Sequence, residues 1–325
     1  MKKMILATAI IASSLLAEVV TIAPYRGEIN YDKNQQKSVK DYSTISGLYT
    51  SIGTLKYLLQ LNYSHFMTKY KKSSYLIPNL NQNDITLAYG YYFPKFMLRI
   101  GVHDISTNDV QLGNGIIALA SINGYDFISY DKYSYGLKGY YSFYKKGHNE
   151  KYVAKSIEIT QLTPYFTAYD ALSINWGNSF TLKANYEIAP DYIKKYYLSY
   201  SASDTVFYKN FLITFSGYGG NMRTGVTNNG FTVANTLDLM KTGYGVTIAY
   251  HFTKKMLLSL SYSINNYREH RKFQDGSNSV SSASFSYKLW TNEKKYRSYS
   301  LYFVFKHALK TRYEVLYLVL ISLLI

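Results

Sequence analysis

The chain of 325 residues contains no cysteine. Disulfide scaffolds, thiolate metal sites and cysteine nucleophiles are therefore excluded. Proline is scarce, at five, and glycine numbers only 20, so collagen-like and flexible-linker compositions are out. No apolar run reaches the about 20 residues that a spanning helix needs, and the mean hydropathy is −0.18. Acidic residues are few: 20 Asp and Glu stand against 36 Lys and Arg, for a net charge of +16. A disordered basic tail is nonetheless excluded, because 47% of the chain is hydrophobic. What the chain has in excess is tyrosine, 38 residues, with 16 phenylalanines beside them.

The N-terminus reads as an export signal. Met1-Lys2-Lys3 is basic, Met4 to Leu16 is mostly apolar, and Ala17 precedes Glu18. A charged start, an apolar stretch of about 7–15 residues and a small residue at the cut define such a signal. Cleavage after Ala17 is expected, leaving residues 18–325 as one domain without an internal linker.

Along the rest of the chain the dominant period is two. Leu55, Tyr57, Leu59, Leu61 and Tyr63 alternate with Lys56, Leu58, Gln60, Asn62 and Ser64. The same alternation runs through Ile85–Phe93, Tyr133–Phe143, Tyr244–Phe252, Met256–Ile264, Ala283–Leu289 and Tyr299–Phe305. Side chains alternate across a strand, so each is a strand with one apolar face. Their length of about 9–12 residues exceeds the usual globular strand and matches a tilted bilayer crossing. The second face is mainly Ser, Thr, Gly, Asn, Gln and Lys, which suits a wet interior. Tyrosines collect near strand ends, where an amphipathic ring meets the membrane interface.

Connections alternate in length. Ser51–Thr54, Pro94-Lys95, Lys209-Asn210, Thr253–Lys255 and Thr291–Lys295 are tight; Lys69–Asn83, Ile105–Asn114, Lys145–Lys151, Tyr218–Thr242 and Asn265–Ser279 are long. Export signal, period-two strands, alternating turns and aromatic strand ends together resemble a Gram-negative outer-membrane β-barrel of the porin type. The resemblance is architectural and assigns no subfamily. It implies an all-β fold, a closed antiparallel transmembrane barrel, in the cell outer membrane. The expected count is about 16 strands, with 14 to 18 open, even numbers being the rule. The stretch Leu162–Asn178 obscures the register.

The C-terminus does not fit the resemblance simply. Such barrels usually end on an alternating strand with a terminal aromatic, as in Tyr299–Phe305, yet twenty residues follow. Two readings stay open for residues 308–325: a closing strand over Tyr313–Ile325, or an extension outside the sheet.

Barrels of about 16–18 strands leave an aqueous channel. The expected function is passive diffusion of small hydrophilic solutes or ions, with selectivity set by charge at the constriction. Strand parity nominates Lys56, Arg99, His103, Lys138 and Lys183 as pore-lining, with Asp84, Glu158 and Glu187 as acidic counterparts. The basic excess suggests a weak anion preference. Arg99, flanked by Leu98 and Ile100, is expected to project into water. The loop Tyr218–Thr242, with Asn228-Asn229-Gly230 as a turn, is the first candidate to fold inward, and Gln111–Ala120 the second. Basic residues of the long loops, such as Lys71, Lys72, Arg268 and Arg271, could meet lipopolysaccharide or merely keep the rim solvated.

Two other functions compete with this reading. An adhesin or structural barrel is compatible with the sequence. An outer-membrane hydrolase is disfavoured, because alternation puts His103 and Asp104 on opposite faces and Ser106 out of parity with His103. No cofactor or metal is expected, since the remaining histidines lack ligand spacing. Nucleic-acid binding is set aside, because the basic residues are spread over both rims. Outer-membrane lipid and the diffusing solutes are the expected partners, and a homo-oligomer is compatible.

Overall fold

The computed structural model describes residues 19–33, 38–54, 56–71, 78–109, 112–125, 133–146, 156–173, 176–189, 195–223, 225–233, 238–269 and 274–290. The expected signal segment with its cut at Ala17, Leu55, and the whole of 291–325 lie outside these residues.

Fourteen long strands close into one barrel. They are β1 Val19–Tyr31, β2 Lys40–Gly53, β3 Tyr57–Tyr70, β4 Leu80–Tyr92, β5 Phe96–Thr107, β6 Leu112–Tyr125, β7 Tyr133–Lys146, β8 Ile157–Ser173, β9 Trp176–Ile188, β10 Tyr196–Tyr208, β11 Phe211–Arg223, β14 Leu239–Thr253, β15 Met256–Arg268 and β16 Asp275–Trp290. Two short strands, β12 Val226–Thr227 and β13 Thr232–Val233, flank a 3-10 turn Asn228–Gly230 in the β11–β14 connection. Every long strand runs antiparallel to its neighbours, and β1 closes on β16 from Val19↔Trp290 to Tyr31↔Asn278. Closure leaves no edge, which is what a bilayer requires of a sheet.

The strand number is thus fourteen, at the low end of the expected range, not sixteen. The sheet is complete at Trp290, so neither Tyr299–Phe305 nor Tyr313–Ile325 is needed to close it. The obscure stretch Leu162–Asn178 resolves into β8 and the start of β9. Pro164 sits inside β8, opposite Leu137 of β7. Pairing with β9 passes over Thr163 and Pro164 and resumes in the same register, Leu162↔Tyr186 and Tyr165↔Lys183. Pro24 does the same in β1: pairing with β16 skips from Ile22↔Tyr287 to Tyr25↔Ser284. A residue without an N–H is tolerated where one ladder bond can be omitted.

Alternation sorts the two faces. In β4 the pattern is strict: Gln82, Asp84, Thr86 and Ala88 are buried, while Ile85, Leu87, Tyr89 and Tyr91 are exposed. The exposed set continues around the wall with Leu98, Ile100, Leu137, Leu182, Ile248 and Leu260. Exposed apolar side chains over a whole barrel circumference would be unstable in water and are at home in lipid. Tight turns lie at one rim, together with Val19, the first residue of β1, and Trp290, the last of β16. Aromatic contacts gather there: Phe93 stacks on Phe96 at 4.6 Å, Phe211 lies 4.7 Å from Tyr250, and Tyr250 4.9 Å from Phe252. This is an interfacial girdle.

The long-loop rim is pinned from inside. Lys40 pairs with Asp238 and lies 4.0 Å from Glu269, between the rings of Tyr31 and Tyr267. Ser38 Oγ and the Val39 N–H both donate to Glu269 Oε2. Burial raises the Glu269 carboxyl above its usual range, against the pull of Lys40. Three connections (β1–β2, β11–β14 and β15–β16) are joined by this one cluster.

Candidate functional site: a loop seated on the inner wall

The β11–β14 connection enters the barrel. Gly220, at φ +105, starts the departure: a Cβ there would lie 2.5 Å from the Leu198 carbonyl oxygen, so only glycine fits. The ladder to β14 shifts register between Gly219 and Met222. Beyond it the Arg223 N–H donates to Glu187 Oε2 at 2.9 Å. Gln161 then clamps Val226 through two bonds: the Val226 N–H donates to Oε1 at 2.7 Å, and Nε2 donates to the Val226 carbonyl at 2.9 Å. The tip turns through left-handed backbone at Asn228, Asn229 and Gly230. Such conformations favour Asn and Gly, which is why that turn is legible in sequence.

The tip rests on charge. Arg99 donates from Nη1 to the Asn229 carbonyl and from Nε to Gln60 Oε1, both at 2.7 Å. Its guanidinium lies 5.0 Å from the Phe231 ring. Lys138 donates to Asn229 Oδ1 and lies over the Tyr165 ring at 4.7 Å. His103 Nδ1 lies 3.0 Å from the Gly230 carbonyl oxygen and 2.7 Å from Thr86 Oγ1. A carbonyl only accepts, so Nδ1 carries the proton. His103 Nε2 lies 3.9 Å from Asp84 Oδ1 and has no hydrogen-bond partner among the described residues.

Apolar packing holds the body of the loop. Val226 joins a buried inner cluster with Ile105, Leu112, Ile117, Leu119, Tyr140, Tyr144, Ile157 and Ile159, and Val233 and Leu239 pack against it. These residues face inward on β5 to β8, so one sector of the inner wall is dry. Much of the rest of the wall is wet in character. Ser201 and Ser203 of β10, Thr214 and Ser216 of β11, Ser259 and Ser261 of β15, and Ser282 and Ser284 of β16 alternate with the lipid-facing set. Cross-strand hydroxyl pairs recur there, as Ser261 with Ser282 and Thr205 with Thr214.

The sequence-derived candidates divide accordingly. Arg99, Lys138 and Lys183 face inward, on β5, β7 and β9. Arg99 and Lys138 share one row through Ser121, and Lys183 is paired with Tyr165 in the adjoining β9. Arg99 does not project into open water as expected: it is 5% exposed, covered by the loop tip. Asp84, His103 and Glu187 also face inward, nearer the long-loop rim, and all three are buried. Glu158 shares parity with the exposed Leu162, beside Tyr141, and so lies on the outer face. Lys56 sits exposed in the β2–β3 turn, not on a strand, with its carbonyl accepting the Tyr92 N–H.

Sequence reasoning missed Gln161, which anchors the loop, and Gln60 and Thr86, which hold Arg99 and His103 beneath its tip. Their inward parity was visible, but their partners lie up to 65 residues away, as for Gln161 and Val226. It also missed that His103 and Asp84 approach across neighbouring strands. That pair is sealed under Gly230, with His103 fully buried, and offers no substrate access. Among the described residues no group of three or more His, Asp or Glu could hold a metal ion.

No family model and no curated protein matches the chain. Solved structures do. The CymD monoaromatic hydrocarbon channel aligns at a TM-score of 0.53 and 10% identity, over 85% of this chain and 90% of that one. A bacterial polysaccharide outer membrane secretin aligns at 0.51 and 8%, over 84% and 99%. The Ralstonia pickettii toluene transporter TbuX aligns at 0.50 and 9%, over 85% and 90%. The fold is that of an outer-membrane β-barrel. At these identities the likeness concerns the fold and leaves the solute open.

Proposed function

We propose that the chain is an outer-membrane channel for passive diffusion of small hydrophilic solutes, with a preference for anions. The observation that carries this reading is the asymmetry of the inner wall. Arg99, Lys138 and Lys183 line one wall, Ser and Thr hydroxyls line the other, and no carboxylate lies within salt-bridge distance of the three cations among the described residues. Fixed cations in a low-dielectric wall concentrate anions locally. The inward loop narrows the lumen beside them. No residue is asked to make or break a bond, so the reading is non-enzymatic. The test is a planar bilayer with a potassium chloride gradient across it. A reversal potential of anion sign supports the reading, and cation selectivity or a sealed barrel refutes it.

A second reading is favoured by the dry inner sector. Its residues Ile117, Leu119, Tyr140 and Tyr144 would suit an apolar solute if the loop withdrew, and the aligned structures include a monoaromatic hydrocarbon channel and a toluene transporter. Uptake of a labelled monoaromatic compound into proteoliposomes, without ion conductance, would favour it over the first.

A further inference from the structure

The loop tip supplies neutral contacts where the wall supplies charge. Arg99 is nearly fully buried, its Nη1 and Nε are taken by a carbonyl and an amide, and its Nη2 is buried with no hydrogen-bond partner among the described residues. Lys138 has only the amide oxygen of Asn229 and the face of Tyr165. Lys138 also lies in the repulsive fields of both Arg99 and Lys183. Lys183 is exposed to the lumen and has no hydrogen-bond partner among the described residues. Neighbouring strands are about 4.8 Å apart, which puts the Cα atoms of Arg99 and Lys138 about 10 Å from each other on their shared row. One small molecule can span that distance.

Hydrogen bonds from a cation to an anionic acceptor are roughly twice as strong as those to a neutral one. A buried cation without a counter-charge is costly to keep. Asn229 is therefore a weak occupant of a site that suits an anion. A guanidinium with a spare N–H beside an ammonium matches the two oxygens of a carboxylate. The hydroxyls of Ser261 and Ser282 across the lumen suit a solute that carries hydroxyls of its own.

We infer that Arg99, Lys138 and Lys183 form a binding site for small hydroxylated carboxylates, and that such a solute, met first at Lys183, displaces Asn229 and frees the loop. The solute would thereby open its own path. This rests on the channel reading for its physiological use, but binding and loop release can be measured without conduction.

The experiment is amide hydrogen exchange over residues 225–233 of the refolded full chain in detergent, titrated with sodium gluconate. Glucose, and sodium chloride at matched ionic strength, are the controls. Gluconate should lower protection of the Val226 and Phe231 amides saturably, while the controls leave it in place. Lys183→Gln touches no part of the loop and should move the half-effect concentration up about tenfold, the loss of one charged hydrogen bond. The inference is overturned if gluconate leaves the loop protected, if sodium chloride reproduces its effect, or if Lys183→Gln responds like the parent. Conductance measured in parallel separates the two claims. Loop release by gluconate in a barrel that passes no current keeps the site and removes the channel; a conducting barrel indifferent to gluconate does the reverse.

Discussion

Gly230 is the position where a single added methyl group should loosen the loop and nothing else. Its φ is +90, in the left-handed region, and a Cβ there would lie 2.7 Å from Leu119 Cδ2. Placing a side chain in that backbone region costs roughly 1–2 kcal/mol. Leu119 is itself packed in the inner cluster and is 4% exposed, so it cannot swing away freely. Together these give about 2 kcal/mol against the seated loop in Gly230→Ala, or about thirtyfold in its closing equilibrium. The two bonds from Arg99 and Lys138 alone are each worth about 1.5–3 kcal/mol, being charged. The loop therefore stays mostly seated, and the barrel, which the loop does not close, stays intact. The measurable effect is a fall of about thirtyfold in exchange protection at Val226 and Phe231. Their N–H groups bond to Gln161 Oε1 and the Asn228 carbonyl in the seated state. Gly219→Ala is the control, because nothing lies within 4 Å of a Cβ there. If Gly230→Ala leaves these amides as protected as Gly219→Ala does, the seated loop is not the dominant state. If strand amides of β4 and β5 lose protection equally, the loop is part of the global fold and the argument for a separable element fails.

Three further outcomes are expected. Ile248→Arg puts a cation on the lipid face between Ile213 and Leu260, and should cost about 2–4 kcal/mol in a denaturant titration in lipid. Thr247→Arg, one step along and inward, should cost far less, and equal penalties would mean that both faces are dry. Deletion of residues 291–325 should leave a heat-modifiable barrel on a gel, because β1 already pairs with β16 through Trp290; loss of the shifted band would show that the tail is needed for assembly. Arg99→Glu should move the reversal potential towards cations at low salt and less so near 1 M, where the Debye length is about 3 Å; an unmoved potential at low salt would remove Arg99 from the ion path.

The outer face was legible because lipid imposes one rule on it all the way round. Ile85, Leu87, Tyr89 and Tyr91 could be assigned from alternation alone, and the structure exposes each of them. The inner face follows no single rule, and there the sequence was less informative. Ile157 and Ile159 are apolar and yet face inward, where they pack in the cluster joined by Val226. A parity assignment that takes apolar as outward therefore reverses the start of β8 and turns Glu158 to the lumen. Strand number was obscure for a related reason. The pattern in Tyr299–Phe305 alternates as well as that of many strands of the barrel, whereas closure depends on whether β1 finds β16, a contact between residues more than 240 positions apart.

Arg99 joins these two lessons. Its parity was readable from Leu98 and Ile100, and the structure turns it inward as the alternation implies. Its surroundings were not readable, because they come from Gln60 of β3, 39 residues before it, and Asn229 of the loop, 130 residues after it. In β5 the alternation around Arg99 was enough to assign its face. What it meets on that face is decided by register and by the loop that returns through the barrel. For the same reason a charge census by parity cannot describe this lumen. Arg99 and Lys138 are already engaged by the loop, and Lys183 is left as the cation that an entering solute meets. If the anion preference arises here, the first and larger effect of neutralising a single residue should come from Lys183 and not from Arg99. Lys183→Gln should reduce anion selectivity with the loop still protected from exchange. Arg99→Gln should first raise loop exchange, with selectivity changing as a consequence. The opposite order would place the ion path on the loop's side of Arg99 and would require the tip to be out of the barrel in the conducting state.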